Sequence, residues 1–125
     1  MAEKRTITIF GTSRGRPGDE NYELARQLGQ RLAEAGYAVA NGGYGGTMTA
    51  AAEGARQADG EVIGVTCSAF GRSGPNEYIT REISTTSLSQ RLARLVELGD
   101  AYIVLRGGTG TLLELAEVWE TRNKG

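Results

Sequence analysis

The chain has 125 residues, enough to bury a sizeable core in one domain spanning 1–125. Its 14 basic and 15 acidic residues nearly balance, so it carries no basic field to gather nucleic acid. It has no histidine, one cysteine (Cys67), and lysines only at Lys4 and Lys124. Histidine triads, histidine metal sites, multi-cysteine zinc sites and internal disulfides are therefore excluded, which leaves carboxylates, arginines, hydroxyls and backbone amides for chemistry.

In chain order, residues 6–10 (TITIF) read as a buried strand that exits into Gly11, Thr12 and Ser13. Turn formers and charge fill 14–21. Tyr22, Ala25, Leu28, Leu32 and Ala35 recur at helical spacing, and Gly36 stops that helix. Residues 37–40 form a short strand ending in NGGYGG, and 47–58 form an alanine-rich helix. Residues 62–65 (VIGV) are a strand, 69–77 a loop, and 78–83 a short strand. Residues 87–98 are a helix with Leu88, Leu92, Leu95 and Val96 on one side. Residues 101–105 are the last strand and 111–121 the last helix.

Short unbroken apolar strands alternating with helices predict a parallel sheet covered on both faces. The expected architecture is a doubly wound three-layer α/β/α sandwich, with its main strands in the order 3-2-1-4-5. Leu112, Leu115, Ala116 and Trp119 form an apolar stripe expected to cover the sheet, with a subunit contact as the alternative. No run of 18 apolar residues exists and the N-terminus has no secretory stretch, so a reduced, cytoplasmic setting is expected.

In such sheets ligands bind beyond the carboxyl ends of the strands. Three strands exit there into glycine-bearing loops: Gly11 to Ser13, Gly42-Gly43-Tyr44-Gly45-Gly46, and Gly107-Gly108-Thr109-Gly110-Thr111. The second and third lead into helix N-termini, at Thr47 and Met48 and at Thr111, where unpaired N–H groups and the helix dipole favour an anion. Glycine admits close approach and threonine adds a hydroxyl. The expected guest is a phosphate carried by a nucleotide. A single such loop is as readily a simple turn; the pairing of two on one edge carries the reading.

NGGYGGTMTAAAEGA followed by RGGTGTLLE resembles the Lonely Guy family and its relatives, once labelled possible lysine decarboxylases. The family pattern Pro-Gly-Gly-x-Gly-Thr-x-x-Glu is matched in register by Gly107, Gly108, Gly110, Thr111 and Glu114. Arg91 stands where the family has an arginine, nine residues before the aspartate of the last strand, here Asp100. The resemblance spans nearly the whole chain. It implies a Rossmann-like fold, a homodimer or higher homo-oligomer, no metal and no cofactor. It also implies hydrolysis of the N-glycosidic bond of a nucleoside 5'-monophosphate to base and ribose 5-phosphate, with Arg91 and Glu114 as the catalytic pair.

The chemistry is coherent on its own terms. Cleavage passes through an oxocarbenium-like state, which a carboxylate can stabilise while aligning or deprotonating water. Arg91 can hold a phosphate oxygen, orient Glu114 or stabilise the departing base. Plainer readings stand beside these: an acid early in a helix complements the dipole, and Arg91 can share a solvated face with Arg94.

Departures from the family pattern matter. Arg106 replaces the proline, either adding phosphate affinity or pointing to solvent. Leu92 replaces the lysine after the arginine. The compact motif Gly-Gly-x-Gly-Gly-x-Met, ending at Met48, is closer to less characterised relatives and to a molybdenum-cofactor-carrier branch. Relatives also continue with a further strand and helix. The alternative function is therefore a nucleotide or molybdenum-cofactor-type carrier or sensor using the same loops. Lysine decarboxylation is rejected, because neither terminal lysine is placed to hold a Schiff base.

Overall fold

The computed structural model describes residues 4–70, 74–107 and 109–123. Five parallel strands form one sheet: β1 (Thr6–Phe10), β2 (Ala38–Asn41), β3 (Val62–Cys67), β4 (Arg81–Thr85) and β5 (Ala101–Val104). Four helices cover it: α1 (Glu20–Glu34), α2 (Thr47–Gln57), α3 (Leu88–Leu98) and α4 (Thr109–Asn123). This is the α/β Rossmann-like sandwich that the alternation of strands and helices predicts.

Side chains alternate across the pleat of β1, and the two faces receive different helices. Ile7 and Ile9 pack with Val39, Val62 and the alanines Ala51, Ala52 and Ala55 of α2. Phe10 packs the other way, with Val65 and with Leu95 of α3. Thr8 faces α3 as well, and its hydroxyl donates to the Leu95 carbonyl at 3.0 Å. The small residues of α2 also let α1 approach closely. A side chain on Gly29 would overlap the Ala51 carbonyl, and one on Gly54 the Arg26 carbonyl.

The strand order is β4-β3-β2-β1-β5, which corrects the expected 3-2-1-4-5. The half 3-2-1 stands, but the last strand, rather than the fourth, lies beside β1, and the fourth extends the far edge next to β3. The expected order places the reversal directly after β3. The described part of the β3–β4 connection holds no α-helix, just the 3-10 turn Ser68–Phe70 and a hydrogen-bonded turn at 76–79. With no helix there to cross and cover a face, the chain settles on the neighbouring edge, where Thr80 exchanges hydrogen bonds with Val62. The long crossover is made by α3, which touches β1 through β4 on its way to β5.

Boundaries shift for local reasons. The fourth strand begins at Arg81 because Asn76 folds the preceding residues into a turn, accepting from the Tyr78 N–H at 3.0 Å. The last helix begins at Thr109. The described part of its apolar stripe does not cover the sheet: Leu115 and Ala116 are exposed, and Trp119 is 66% exposed, while the Leu112 side chain lies outside what is described. Val118 makes the contact with the Phe10 cluster instead. The two sheet edges differ in character. β4 presents Arg81 and Glu82, charges of the kind that discourage edge pairing, whereas β5 is the apolar segment Ala-Tyr-Ile-Val. No helix among the described residues is long and apolar enough to cross a membrane.

Candidate functional site

The loop after β1 joins the other two. Thr12 donates its N–H to the Arg106 carbonyl at 3.0 Å and accepts from the Thr47 N–H at 3.0 Å. One residue thus ties the β5 exit to the start of α2, so the segments around 42–48 and 106–111 share one edge of the sheet. Close approach requires glycine here. A side chain on Gly46 would run into the Ser13 and Arg14 backbone, and the residue's φ of +63° is in the region that favours glycine. Gly11 makes room for the Thr47 side chain, and Gly107 for the Thr111 hydroxyl. Thr47 and Thr111 are both buried.

Several of the amides in these loops are engaged within the fold. The N–H groups of Thr12 and Thr47 make the bonds just described, and the Gly43 N–H donates to Asn41 Oδ1 at 2.8 Å. Among the described residues, the Gly45 and Gly46 N–H groups have no such partner. Gly108 lies outside the described residues, and of Thr109 and Gly110 only the backbone, at the head of α4, is described. Ser13 and Arg106 have exposed side chains. Arg106 lines a cleft of about 420 Å³ together with Thr47, Leu105 and residues of α1 that include Glu20 and Glu23.

Arg91 is not on a solvated face. It is 8% exposed, whereas Arg94 reaches solvent beside Glu97. The Arg91 Nε donates to the Val65 carbonyl at 2.9 Å and Nη2 to the Gly42 carbonyl at 3.2 Å. Met48 Sδ lies 3.8 Å from the same nitrogen, and the guanidinium stacks over the Tyr44 ring at 5.4 Å. A side chain on Gly42 would overlap the guanidinium, so that glycine and this arginine are a matched pair. The arginine therefore fixes the β2 exit against the end of β3.

Glu114 sits in the second turn of α4, partly buried. Burial raises its carboxyl from 4.5 to about 7, while the nearby Arg91 charge pulls it the other way. A buried guanidinium and a carboxyl poised near neutrality thus sit at the edge where the glycine loops meet. Asp100, used above only to index Arg91, does not join them. It stands at the start of β5, where its Oδ2 accepts from the Thr6 N–H at 2.8 Å.

Three contributors escape a reading of the motifs. Asn41 is fully buried: it holds Gly43 with its oxygen and donates Nδ2 to the Met48 carbonyl at 3.0 Å. Tyr44 is buried, and its hydroxyl bonds both the N–H and the carbonyl of Cys67, at 2.8 and 3.1 Å. Asn76 reaches in from the β3–β4 loop. The placement of Asn41 at a strand end was a usable signal, since Asx side chains favour such turns; Asn76 gave none beyond following Pro75.

The chain is similar in sequence and fold to proteins already known. The chain is 34% identical, over 92% of its length, to a probable cytokinin riboside 5'-monophosphate phosphoribohydrolase of Oryza sativa subsp. japonica, and spans 47% of that protein. It is 33% identical, over 91% of its length, to the cytokinin riboside 5'-monophosphate phosphoribohydrolase of Rhodococcoides fascians, of which it spans 59%. Its fold superposes on the molybdenum cofactor binding protein of Rippkaea orientalis with a TM-score of 0.86 at 27% identity, covering 98% of this chain and 74% of that one. The model of the SLOG cluster4 family matches residues 4–124. With that match across the chain, and with relatives of both kinds around it, the protein belongs to the SLOG cluster4 family, in the Lonely Guy superfamily and toward its molybdenum-cofactor-carrier side.

Proposed function

We propose that the protein is a phosphoribohydrolase that cleaves the N-glycosidic bond of a nucleoside 5'-monophosphate. One observation carries the reading. The Thr12 bridge unites the two glycine loops on the edge that also holds buried Arg91 and a Glu114 carboxyl near 7. The phosphate is held by Gly45 and Gly46 at the head of α2 and by Gly107, Gly108, Thr109, Gly110 and Thr111 at the head of α4, where the helix dipoles favour a dianion. Gly11, Thr12, Ser13, Gly42, Gly43, Thr47 and Met48 shape the walls, and Arg106 adds a cation at the mouth. The ribose then lies beside Glu114. Its carboxylate form stabilises developing positive charge and takes a proton from the attacking water, a role suited to a group titrating near working pH. Arg91 keeps that carboxylate partly ionised and steadies the departing base.

The test is incubation with a panel of nucleoside 5'-monophosphates and chromatography for free base. Release by the wild type, lost in Glu114→Gln with nucleotide binding retained, supports the reading. A second function is favoured by one observation, the TM-score of 0.86 to a molybdenum cofactor binding protein. Tight binding of a phosphorylated pterin or nucleotide with no base released would select that carrier role.

The same proposal includes self-association through α4, whose exposed Leu115 and Trp119, four residues apart, form an apolar strip on one side of the helix. It also includes a cytoplasmic setting, in keeping with the buried free thiol of Cys67, and no nucleic-acid partner, in keeping with the balanced charge.

A further inference from the structure

We propose that Asn76 is a positioning residue that aims the anion-binding amides of the 42–46 loop. The inference rests on the reading of this edge as a phosphate site. Asn76 comes from the β3–β4 connection, outside both glycine motifs, yet every polar group it has is engaged. Its N–H donates to the Gly43 carbonyl at 2.7 Å, and its Nδ2 donates to the Tyr44 carbonyl at 2.8 Å. Its Oδ1 accepts from the Tyr78 N–H at 3.0 Å, and its carbonyl accepts from the Ile79 N–H at 3.3 Å. The last two bonds fold residues 76–79 into a turn. The first two join that turn to the glycine loop.

The consequence follows from peptide geometry. In a trans peptide the carbonyl of one residue and the N–H of the next point in opposite directions. Asn76 Nδ2 and Thr49 Oγ1, the latter at 2.7 Å, together occupy the Tyr44 carbonyl and hold it toward the β3–β4 loop and α2. The Gly45 N–H is thereby turned away from them. On that other side lie Ser13, whose carbonyl is in van der Waals range of a side chain built on Gly45, and the β1 and β5 exits, since β2 stands between β3 and β1. The Gly43 carbonyl is fixed in the same sense by the Asn76 N–H. Left unpinned, glycine-rich peptide planes rotate readily, and amides that must be oriented when the anion arrives bind it more weakly than amides already in place.

Asn76→Asp separates this role from general folding. It keeps the backbone bonds and the oxygen that Tyr78 needs, and replaces only the Nδ2 donor with an oxygen facing the Tyr44 carbonyl. Asn76→Ala removes both side-chain bonds and serves as the second variant. Residue-resolved amide exchange is measured on the ligand-free proteins, followed by titration with adenosine 5'-monophosphate and with unphosphorylated adenosine. In both variants exchange of the Gly43 amide, the loop N–H bonded to Asn41 Oδ1, rises about tenfold as the loop loosens, with strands β1–β3 unchanged. Affinity for the monophosphate falls about tenfold and that for adenosine stays constant. Where the wild type turns over, KM rises while kcat holds within about twofold. Unchanged exchange of the Gly43 amide in Asn76→Asp overturns the inference, whether or not any nucleotide binds. So does a loosened loop that leaves the monophosphate affinity intact. A wild type that ignores the monophosphate while its variants loosen the loop defeats the phosphate reading, but upholds Asn76 as the residue that sets the loop.

Discussion

Replacing Glu114 with glutamine should remove a specific pH dependence of stability. Burial lifts this carboxyl from 4.5 to about 7 in the folded protein. Between those values the native state holds a proton that the unfolded chain has released. The native state therefore binds more protons, and unfolding free energy falls as pH rises through the window. The full gap amounts to roughly 2–3 kcal/mol once the partial exposure of the side chain is allowed for. For a chain of this length that corresponds to about 8–12 °C in melting temperature. Glutamine cannot titrate, so the difference between wild type and Glu114→Gln should widen against the wild type from pH 5 to pH 8 and then level off. Urea unfolding followed by circular dichroism across that range, without ligand, measures it directly. Parallel curves for the two proteins would refute the buried, proton-holding Glu114 on which the proposed chemistry depends. The same group should appear as an inflection near pH 7 in kcat/KM if it acts as the base.

Other predictions follow from the same contacts. Arg91→Lys retains the charge but cannot reach the Val65 and Gly42 carbonyls in one plane, so base release should fall at least about tenfold. Arg91→Ala leaves those buried acceptors unpaired and should cost about 2–4 kcal/mol in a denaturation experiment. Gly42→Ala should reproduce the activity loss of Arg91→Lys by displacing the guanidinium, and unaltered turnover would show that Arg91 need not occupy that position. Gly54→Ala, in an α2 otherwise rich in alanine, should destabilise by about 3 kcal/mol despite alanine's helix propensity, because a methyl group there meets the Arg26 backbone carbonyl; a rise in melting temperature would contradict the close α1–α2 contact. Trp119→Glu should shift sedimentation velocity toward a smaller species with little change in melting temperature, since that side chain is 66% exposed.

Much of the architecture was legible because it is local. The unbroken TITIF and VIGV runs, the helical spacing of Leu92, Leu95 and Val96, and the glycines at strand exits each report on a few neighbouring residues. The apolar stripe of α4 misled because hydrophobic character alone does not say which side of a helix meets the sheet: Val118 turns inward while Leu115 and Trp119 face out. The order of the strands misled for a related reason. Nothing in residues 68–80 marks where the chain reverses across the sheet; the observed edge pairing of β4 with β3 does.

By itself the sequence determined the class of fold, the common edge of three glycine loops, and the chemistry open to a chain without histidine or a central lysine. Only the tertiary structure decided how those pieces meet. It made Thr12 the bridge between two loops, buried Arg91 against carbonyls 26 and 49 residues away, and brought Asn76 onto the loop after β2. It also raised the Glu114 carboxyl to about 7, a property of its burial rather than of its motif. The division has one physical cause: periodicity and turn chemistry are encoded between near neighbours, whereas burial, charge proximity and the partner of a given carbonyl arise when distant segments pack.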